Sequence, residues 1–432
     1  MQPRRVNFHT LGCKLNFAES STLARQFVEG GFVRVAPNEA ADICVINSCS
    51  VTEHADKKCR NLIRKLHRRN PDAIIAVTGC YAQLKPYDIA QIEGVDIVLS
   101  NNDKGDLYQR VLELSKQGSA EVTACSVAEL TRFFAAFSSG DRTRAYLKVQ
   151  DGCDYKCSYC TIHYARGSSR NMPIADLVRE AEQIAAAGQQ EIVITGINTG
   201  DFGRTTGESF LDLLRALDAV EGIERYRISS IEPNLLTDEI IDFCASSPKF
   251  QHHFHIPIQS GSDKILALMR RRYTQAKFEE RIAAVRRRMP DAFIGIDVIV
   301  GFPGETEEEF RTTYDFLEHI APAFLHIFPF SERPGTPAVE LPGKVQSSVA
   351  TRRVAELEAL CARLHRDFCA QAVGREEEVL FESTMKGGMM FGFTGAYRRV
   401  KAPYDKSRIN TICRVKLHGI DENDDLLGEI IE

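Results

Sequence analysis

The sequence predicts an α/β protein in three units. These are an N-terminal open parallel sheet with crossover helices, a central partial (β/α)6 barrel and a small C-terminal antiparallel β-barrel. Three observations carry this reading. Strand-like and helix-like segments alternate from Arg5 to Leu99 and again from Ala145 to Phe328, the rhythm of parallel sheets with helical crossovers. Between those runs Gly118–Asp141 loses its period, with Ser138-Ser139-Gly140 as a hinge. Beyond a helix at Thr351–Ala372, the stretch Glu377–Gly419 holds short strands, glycines and aromatics, the texture of a compact all-β module. The expected domains are 1–138, 139–373 and 374–432.

In the first unit Arg5–His9, Asp42–Asn47, Ala73–Thr78 and Val95–Leu99 read as strands, with helices at Asn16–Gly30 and Glu53–Arg69. In the second, Ala145–Val149, Glu191–Thr195, Tyr226–Ser230, His253–Ile258, Phe293–Val300 and Leu325–Phe328 read as six strands. Ala175–Ala187 and Lys277–Met289 are among the helices between them. Chemistry in such a barrel belongs at the carboxyl ends of the strands. The acidic run Asp421–Glu432 reads as an edge strand or tail.

At 432 residues, 44% apolar and 26% charged, the composition is that of a soluble protein. No apolar run approaches the ~18 residues a membrane span requires. Met1-Gln2-Pro3-Arg4-Arg5 lacks an apolar signal core, so no secretory signal is expected. Thirteen cysteines without export argue for metal ligation in a reducing cytoplasm. The net charge of −5 is an average over unevenly distributed charge.

Cys153, Cys157 and Cys160 place three thiols within eight residues, directly after a strand. Three thiolates hold three irons of a [4Fe–4S] cluster and leave the fourth open to a small chelating molecule. Cys13, Cys49 and Cys80 each fall just past a predicted strand, and adjacent parallel strands bring such positions to one crevice. Gly12 and Gly79 would allow close backbone approach there. Cys44, Cys59, Cys125, Cys244, Cys361, Cys369 and Cys413 read as packing residues.

The cysteine spacing is that of radical S-adenosylmethionine (SAM) enzymes, and nearly the whole chain resembles their methylthiotransferase family. The resemblance rests on Thr10-Leu11-Gly12-Cys13-Lys14-Leu15-Asn16, Asp151-Gly152-Cys153, Tyr164-Ala165-Arg166-Gly167, the run from His255 to Asp263, and Gly301-Phe302-Pro303-Gly304-Glu305-Thr306. The C-terminal barrel resembles the RNA-binding TRAM module. The family's branches act on isopentenyladenosine in tRNA, on a ribosomal-protein aspartate, or on threonylcarbamoyladenosine in tRNA. Gly12-Cys13-Lys14, Ser229–Pro233 and Arg271–Thr274 resemble the third branch; Gln or Pro follows the cysteine in the other two. Asn171 and Ala396 depart from the family's usual serine and asparagine.

The resemblance implies two [4Fe–4S] clusters, on Cys153, Cys157 and Cys160 and on Cys13, Cys49 and Cys80, with SAM as co-substrate. It implies methylthiolation at adenine C2 beside the anticodon, using two SAM and a sulfur on the auxiliary cluster. Thr195, Gly196 and Asn198 would contact the methionine part of SAM. Ser230, Glu232, Gln259 and Ser260, at strand ends, are further expected contacts. The partners implied are a tRNA anticodon stem-loop, a reducing electron donor and a sulfur source. RNA is expected on Lys386, Arg398, Arg399, Lys401 and Arg408, interleaved with Phe391, Phe393, Tyr397 and Tyr404, and on the basic run Lys57–Arg69. Arg166, Arg170 and Arg270–Arg272 are candidates for the threonylcarbamoyl carboxylate. The competing reading of another class is a non-catalytic iron–sulfur RNA-binding protein.

Overall fold

The computed structural model describes residues 3–114, 116 and 118–431; Met1, Gln2 and Glu432 of the terminal readings lie outside the described residues. The first sheet comprises β1 (Arg5–Thr10), β2 (Val33–Arg34), β3 (Ile43–Ser48), β4 (Ile74–Gly79), β5 (Ile97–Val98) and β6 (Glu121–Val122). All pairings are parallel, in the order β2-β1-β3-β4-β5-β6. Central β3 is apolar on both faces. Ile43 and Val45 pack with Phe8, Leu23 and Phe27 from the side of helix α1 (Lys14–Glu29). Cys44 and Ile46 pack with Cys59, Ile63 and Leu66 of α2 (Glu53–Arg69). A strand covered on both sides needs this continuous apolar run. The sequence reading missed β2 and β6, each two residues long and too short to display a period.

The central unit pairs β7 (Arg144–Lys148), β8 (Glu191–Thr195) and β9 (Arg225–Ile228) in one parallel sheet. A second holds β10 (His253–His255), β11 (Phe293–Val300) and β12 (Phe324–Pro329). Isolated bridges Tyr226–Phe250 and Ser230–His255 join the two, so six strands form one open barrel, as expected. β11 sends Ile294, Ile296, Val298 and Val300 into the outer core, and Phe293, Gly295 and Asp297 to the lumen. Other inward positions are charged: Lys148, Glu191, Arg225 and Arg227 are all buried.

The C-terminal unit is a closed barrel of β13 (Glu376–Lys386), β14 (Met389–Thr394), β15 (Arg399–Pro403), β16 (Ile412–Ile420) and β17 (Leu426–Ile430), in the order β13-β14-β15-β17-β16. It departs from expectation in one respect. β17 is not an edge or tail but closes the barrel, antiparallel to β16 and parallel to β15, so the sheet is mixed. Its buried Leu426 joins the barrel core, which an exposed edge would leave wet.

This barrel caps the amino ends of the central strands. Arg225 donates to the carbonyls of Phe393 (3.2 Å) and Glu378 (3.0 Å). Arg227 donates to those of Gly395 (2.7 Å) and Thr394 (2.8 Å). Arg144 pairs with Glu382 at 3.0 Å and donates to the Tyr397 hydroxyl at 2.9 Å. Tyr397, held at φ 59°, stacks on Phe393 and meets His253 and Phe293. No helix among the described residues is long and apolar enough to cross a membrane.

Candidate active site

Cys13, Cys49 and Cys80 follow the carboxyl ends of β1, β3 and β4, three neighbouring strands. The turns there demand glycine. Gly12 (φ +95°) would place a Cβ 2.7 Å from that of Cys49, and Gly79 (φ +97°) would place one 2.4 Å from the Ser48 carbonyl. Burial pushes the Cys49 thiol up to about 12, and Cys80 and Cys13 push the same way, so the three sulfurs share one field. The structure therefore gathers residues far apart in sequence.

The second triad lies in the loop after β7. Burial, with Cys160 and Cys157 adding to it, raises the Cys153 thiol to about 12; burial and Cys157 do the same to Cys160. The backbone N–H groups of Tyr155 and Ile162 point at the sulfurs of Cys153 and Cys160, each at 3.4 Å. Arg271 donates to the Cys157 sulfur at 3.1 Å and is ion-paired with Glu232. Such donors favour thiolate, and a metal that displaces the protons overcomes the cost of ionising buried thiols.

A buried ion network joins the two triads. Arg166 donates to Asn16 (2.6 Å), Glu19 (3.0 Å) and Asp151 (2.9 Å). Lys148 reaches Glu19 (2.8 Å) and Asp151 (2.7 Å), Arg170 reaches Asp151 (3.3 Å), and Lys104 pairs with Glu19. Four cations thus face two carboxylates between sites that would each carry anionic sulfur. The excess positive charge suits clusters held by thiolates. Among the described residues, only His255, Asp297 and His326 bring three ligand atoms within 4.8 Å of one another.

The expected SAM contacts divide. Asn198 is buried with neither side-chain polar atom satisfied, an arrangement that calls for a ligand. Thr195 ends β8 with Gly196 directly after it, and Ser230, part-buried, lies two residues past the end of β9. Gln259 adopts φ 70° on the loop after β10. Glu232 is engaged by Arg271. Ser260 departs from expectation: it is fully buried, meets the Thr313 hydroxyl at 3.2 Å and accepts the N–H of Ser262, so it ties a loop to a helix. Gln150 was missed. Its amide donates to the carbonyls of Asp151 and Gly152, while its oxygen accepts the N–H groups of Ile197 and Asn198. One residue thereby ties the cysteine loop to the Asn198 loop. Its only sequence signal is its place before Asp151-Gly152-Cys153.

The arginines expected for the substrate carboxylate are mostly committed. Arg166 and Arg170 are buried in the network, and Arg271 faces Cys157 and Glu232. Arg272 lies 4.0 Å from the Tyr155 ring centroid and donates to the Asp154 carbonyl.

On the C-terminal barrel, Arg398 is not an RNA-facing group. Its side chain is fully buried, donates to the Phe368 carbonyl and pairs with Glu377. Arg399 pairs with Asp425, Lys401 with Asp421, and Arg408 approaches Asp405. Lys386 is exposed; of the four aromatics only Tyr404 is. On α2, by contrast, Lys57, Lys58, Arg64, Lys65 and Arg68 are exposed and their side chains have no ion pair among the described residues.

The barrel, and three thiols at the carboxyl end of its first strand, define a radical SAM enzyme. Residues 147–317 match the family model of the radical SAM superfamily, and residues 5–100 match that of the uncharacterized protein family UPF0004. The chain is 40% identical over 420 residues to the Bacillus subtilis threonylcarbamoyladenosine tRNA methylthiotransferase MtaB, covering 95% of this chain and 93% of that protein. It is 36% identical to the protein of that name from Thermotoga maritima, covering 97% and 95%. To a tRNA-2-methylthio-N(6)-dimethylallyladenosine synthase of Acidothermus cellulolyticus it is 34% identical, covering 88% and 78%. The radical SAM methyltransferase TsrM from Kitasatospora setae shares the fold at TM-score 0.58 and 15% identity, covering 89% of this chain and 79% of that one. The chain belongs to the radical SAM methylthiotransferase family. Such enzymes use a [4Fe–4S] cluster and SAM, with a second cluster in methylthiotransferases.

Proposed function

We propose that this enzyme converts N6-threonylcarbamoyladenosine beside the tRNA anticodon to its 2-methylthio derivative. The observation that carries the reading is Arg166. Its guanidinium bonds Asn16, three residues past Cys13, and Asp151, two residues before Cys153, so the triads are built around one buried core. That arrangement suits a reaction in which a sulfur-bearing site and a radical-generating site act on one carbon. Relatives named for threonylcarbamoyladenosine, and the Lys14 that follows Cys13, favour this branch over isopentenyladenosine or a ribosomal protein.

Cys153, Cys157 and Cys160, in the unit 139–373, would hold one cluster, and Cys13, Cys49 and Cys80, in the unit 1–138, the other, with 374–432 as the third unit. When bound, the first supplies the electron that cleaves SAM to a carbon radical able to take the adenine C2 hydrogen. The chain's own residues orient and exclude water. Gln150 fixes the Asn198 loop against the cysteine loop, and Asn198 offers an amide to the co-substrate. Buried Tyr155, held by Asn234 at 2.7 Å and covered by Arg272, screens the cysteine loop from solvent. The unpaired cations of α2 meet RNA phosphates. A reducing electron donor, a sulfur source and two SAM complete the reaction, and thirteen free cysteines suit the cytoplasm.

The test uses anaerobically reconstituted enzyme, SAM, reductant, sulfide and two anticodon stem-loops, one with threonylcarbamoyladenosine and one with isopentenyladenosine. Nucleoside mass spectrometry should find the 2-methylthio product from the first alone. Product from the second alone would assign the other tRNA branch.

A further inference from the structure

Lys14 begins α1 beside Cys13, yet the charges that act on its ammonium are those of the barrel lumen. It lies within electrostatic reach of Tyr397, Arg144, Arg227 and Asp297, and His326 feels its charge. The carboxylates there are already taken. Asp297 holds His255 at 2.7 Å, Glu191 holds Arg227 at 2.7 Å, and Glu382 holds Arg144 at 3.0 Å. Among the described residues Lys14 has neither an ion pair nor a hydrogen bond from its side chain. A partly buried cation left unpaired costs stability unless an anion arrives.

The space it faces is open and graded in polarity. On β12, Phe328 and His326 share the lumen face and both are exposed, Phe328 at 47%. His326 lies 5.0 Å from His255, ring to ring, and Asp297 completes the cluster. An aromatic wall thus leads from the carboxyl mouth, where the cysteines stand, to a polar floor. Two histidines and a carboxylate have the donor count of a divalent-metal site. The Lys14 charge acts on His326 and Asp297, however, with Arg144 and Arg227 in reach of Lys14, and this excess of cations would oppose a metal ion while attracting an anion.

We infer that Lys14, with His326 and the His255–Asp297 pair, forms a subsite for the carboxylate of the substrate's threonyl group, and that Lys14 determines specificity for it. The inference rests on the proposed substrate and moves its recognition from the committed arginines to the barrel floor. A purine on Phe328 would direct its N6 substituent towards the floor, and the ammonium would meet the carboxylate as a charge-assisted pair. A neutral isopentenyl group would leave Lys14 unpaired.

The experiment compares two stem-loops, one with threonylcarbamoyladenosine and one with its carboxylate converted to a neutral methylamide. Wild type, Lys14→Gln and Lys14→Arg are assayed for kcat/KM of methylthiolation, with iron content measured in each. Wild type should prefer the acid by roughly 10- to 100-fold. Lys14→Gln should bring the ratio close to one, through KM on the acid, and Lys14→Arg should restore much of it. If Lys14→Gln loses iron, His326→Leu, on a strand remote from Cys13, decides instead, with the ratio expected to fall roughly threefold or more. A wild-type ratio near one, or a ratio unchanged in the neutral variants, overturns the subsite while leaving the reaction intact. Conversion of neither RNA by wild type sinks the substrate reading and the subsite with it.

Discussion

Replacing Arg166 with methionine probes the join between the two triads. The side chain is 1% exposed and makes four hydrogen bonds, to Glu19 twice, to Asp151 and to Asn16. Removing one partner of a buried ion network costs about 3–5 kcal/mol. Here Lys104 and Lys148 still serve Glu19, and Lys148 and Arg170 still serve Asp151, so the low end, about 3 kcal/mol, applies. That raises the opening equilibrium of the interface roughly 100-fold. Native-state hydrogen exchange at neutral pH reads it directly, in the backbone amides of α1 and β7. The pH dependence has a defined sign. Although burial opposes it, Arg166 and its neighbouring cations hold Glu19 and Asp151 well below the usual carboxylate range. Depressed carboxylates stabilise fully above their ordinary pKa, about 4, and lose that contribution as pH falls. Variant and wild type should therefore converge in acid. Exchange altered less than about threefold in α1 and β7 at neutral pH would refute the energetic role given to this network.

Three further outcomes follow from particular side chains. Burial pushes Glu180 up to about 7 against the pull of Arg25 and Lys148, so its stabilising contribution is full below its ordinary 4.5 and is lost as pH rises through about 7. Glu180→Gln should match wild type in urea midpoint near pH 4 and exceed it at pH 8; equal midpoints at both would contradict this. Replacing Lys57, Lys58, Arg64 and Lys65 with alanine should flatten the salt dependence of tRNA binding by about 0.7–0.9 in log–log slope for every phosphate left without its cation. An unchanged slope would move the RNA off α2. Arg398→Ala should destabilise the C-terminal barrel, seen as faster proteolysis, while the salt slope stays at the wild-type value; a reduced slope would return Arg398 to the RNA surface.

Cys153, Cys157 and Cys160 stood out by their spacing within one loop; Cys13, Cys49 and Cys80 stood out because each falls just past a strand, and strand ends follow from apolar runs and glycine turns. Cys44 and Cys59 were legible as packing residues for the same reason: each falls on an apolar face. Arginine was not legible. From sequence Arg166 reads as a substrate contact and Arg398 as an RNA contact, whereas both, with Arg225 and Arg227, are buried, and only partners from distant segments make that tolerable. Glu19 lies 147 residues from Arg166, and the carbonyl of Gly395 lies 168 from Arg227. The C-terminal barrel shows the consequence. Its basic residues suggest an RNA face, yet several answer acids of the Asp421–Asp425 turn, and its carbonyls are bound by Arg227 of the central unit. Lys14 was legible as a mark of family branch, and its direction into the lumen was not.

The central claim, that each triad holds its own cluster, is tested most directly by iron content after anaerobic reconstitution. The wild-type chain should bind about eight irons, two [4Fe–4S] clusters. Alanine at Cys153, Cys157 and Cys160 together should leave about four and abolish SAM cleavage, whereas alanine at Cys13, Cys49 and Cys80 should leave about four and retain uncoupled cleavage. Full iron in either triple variant, or SAM cleavage surviving the loss of Cys153, Cys157 and Cys160, would contradict the account.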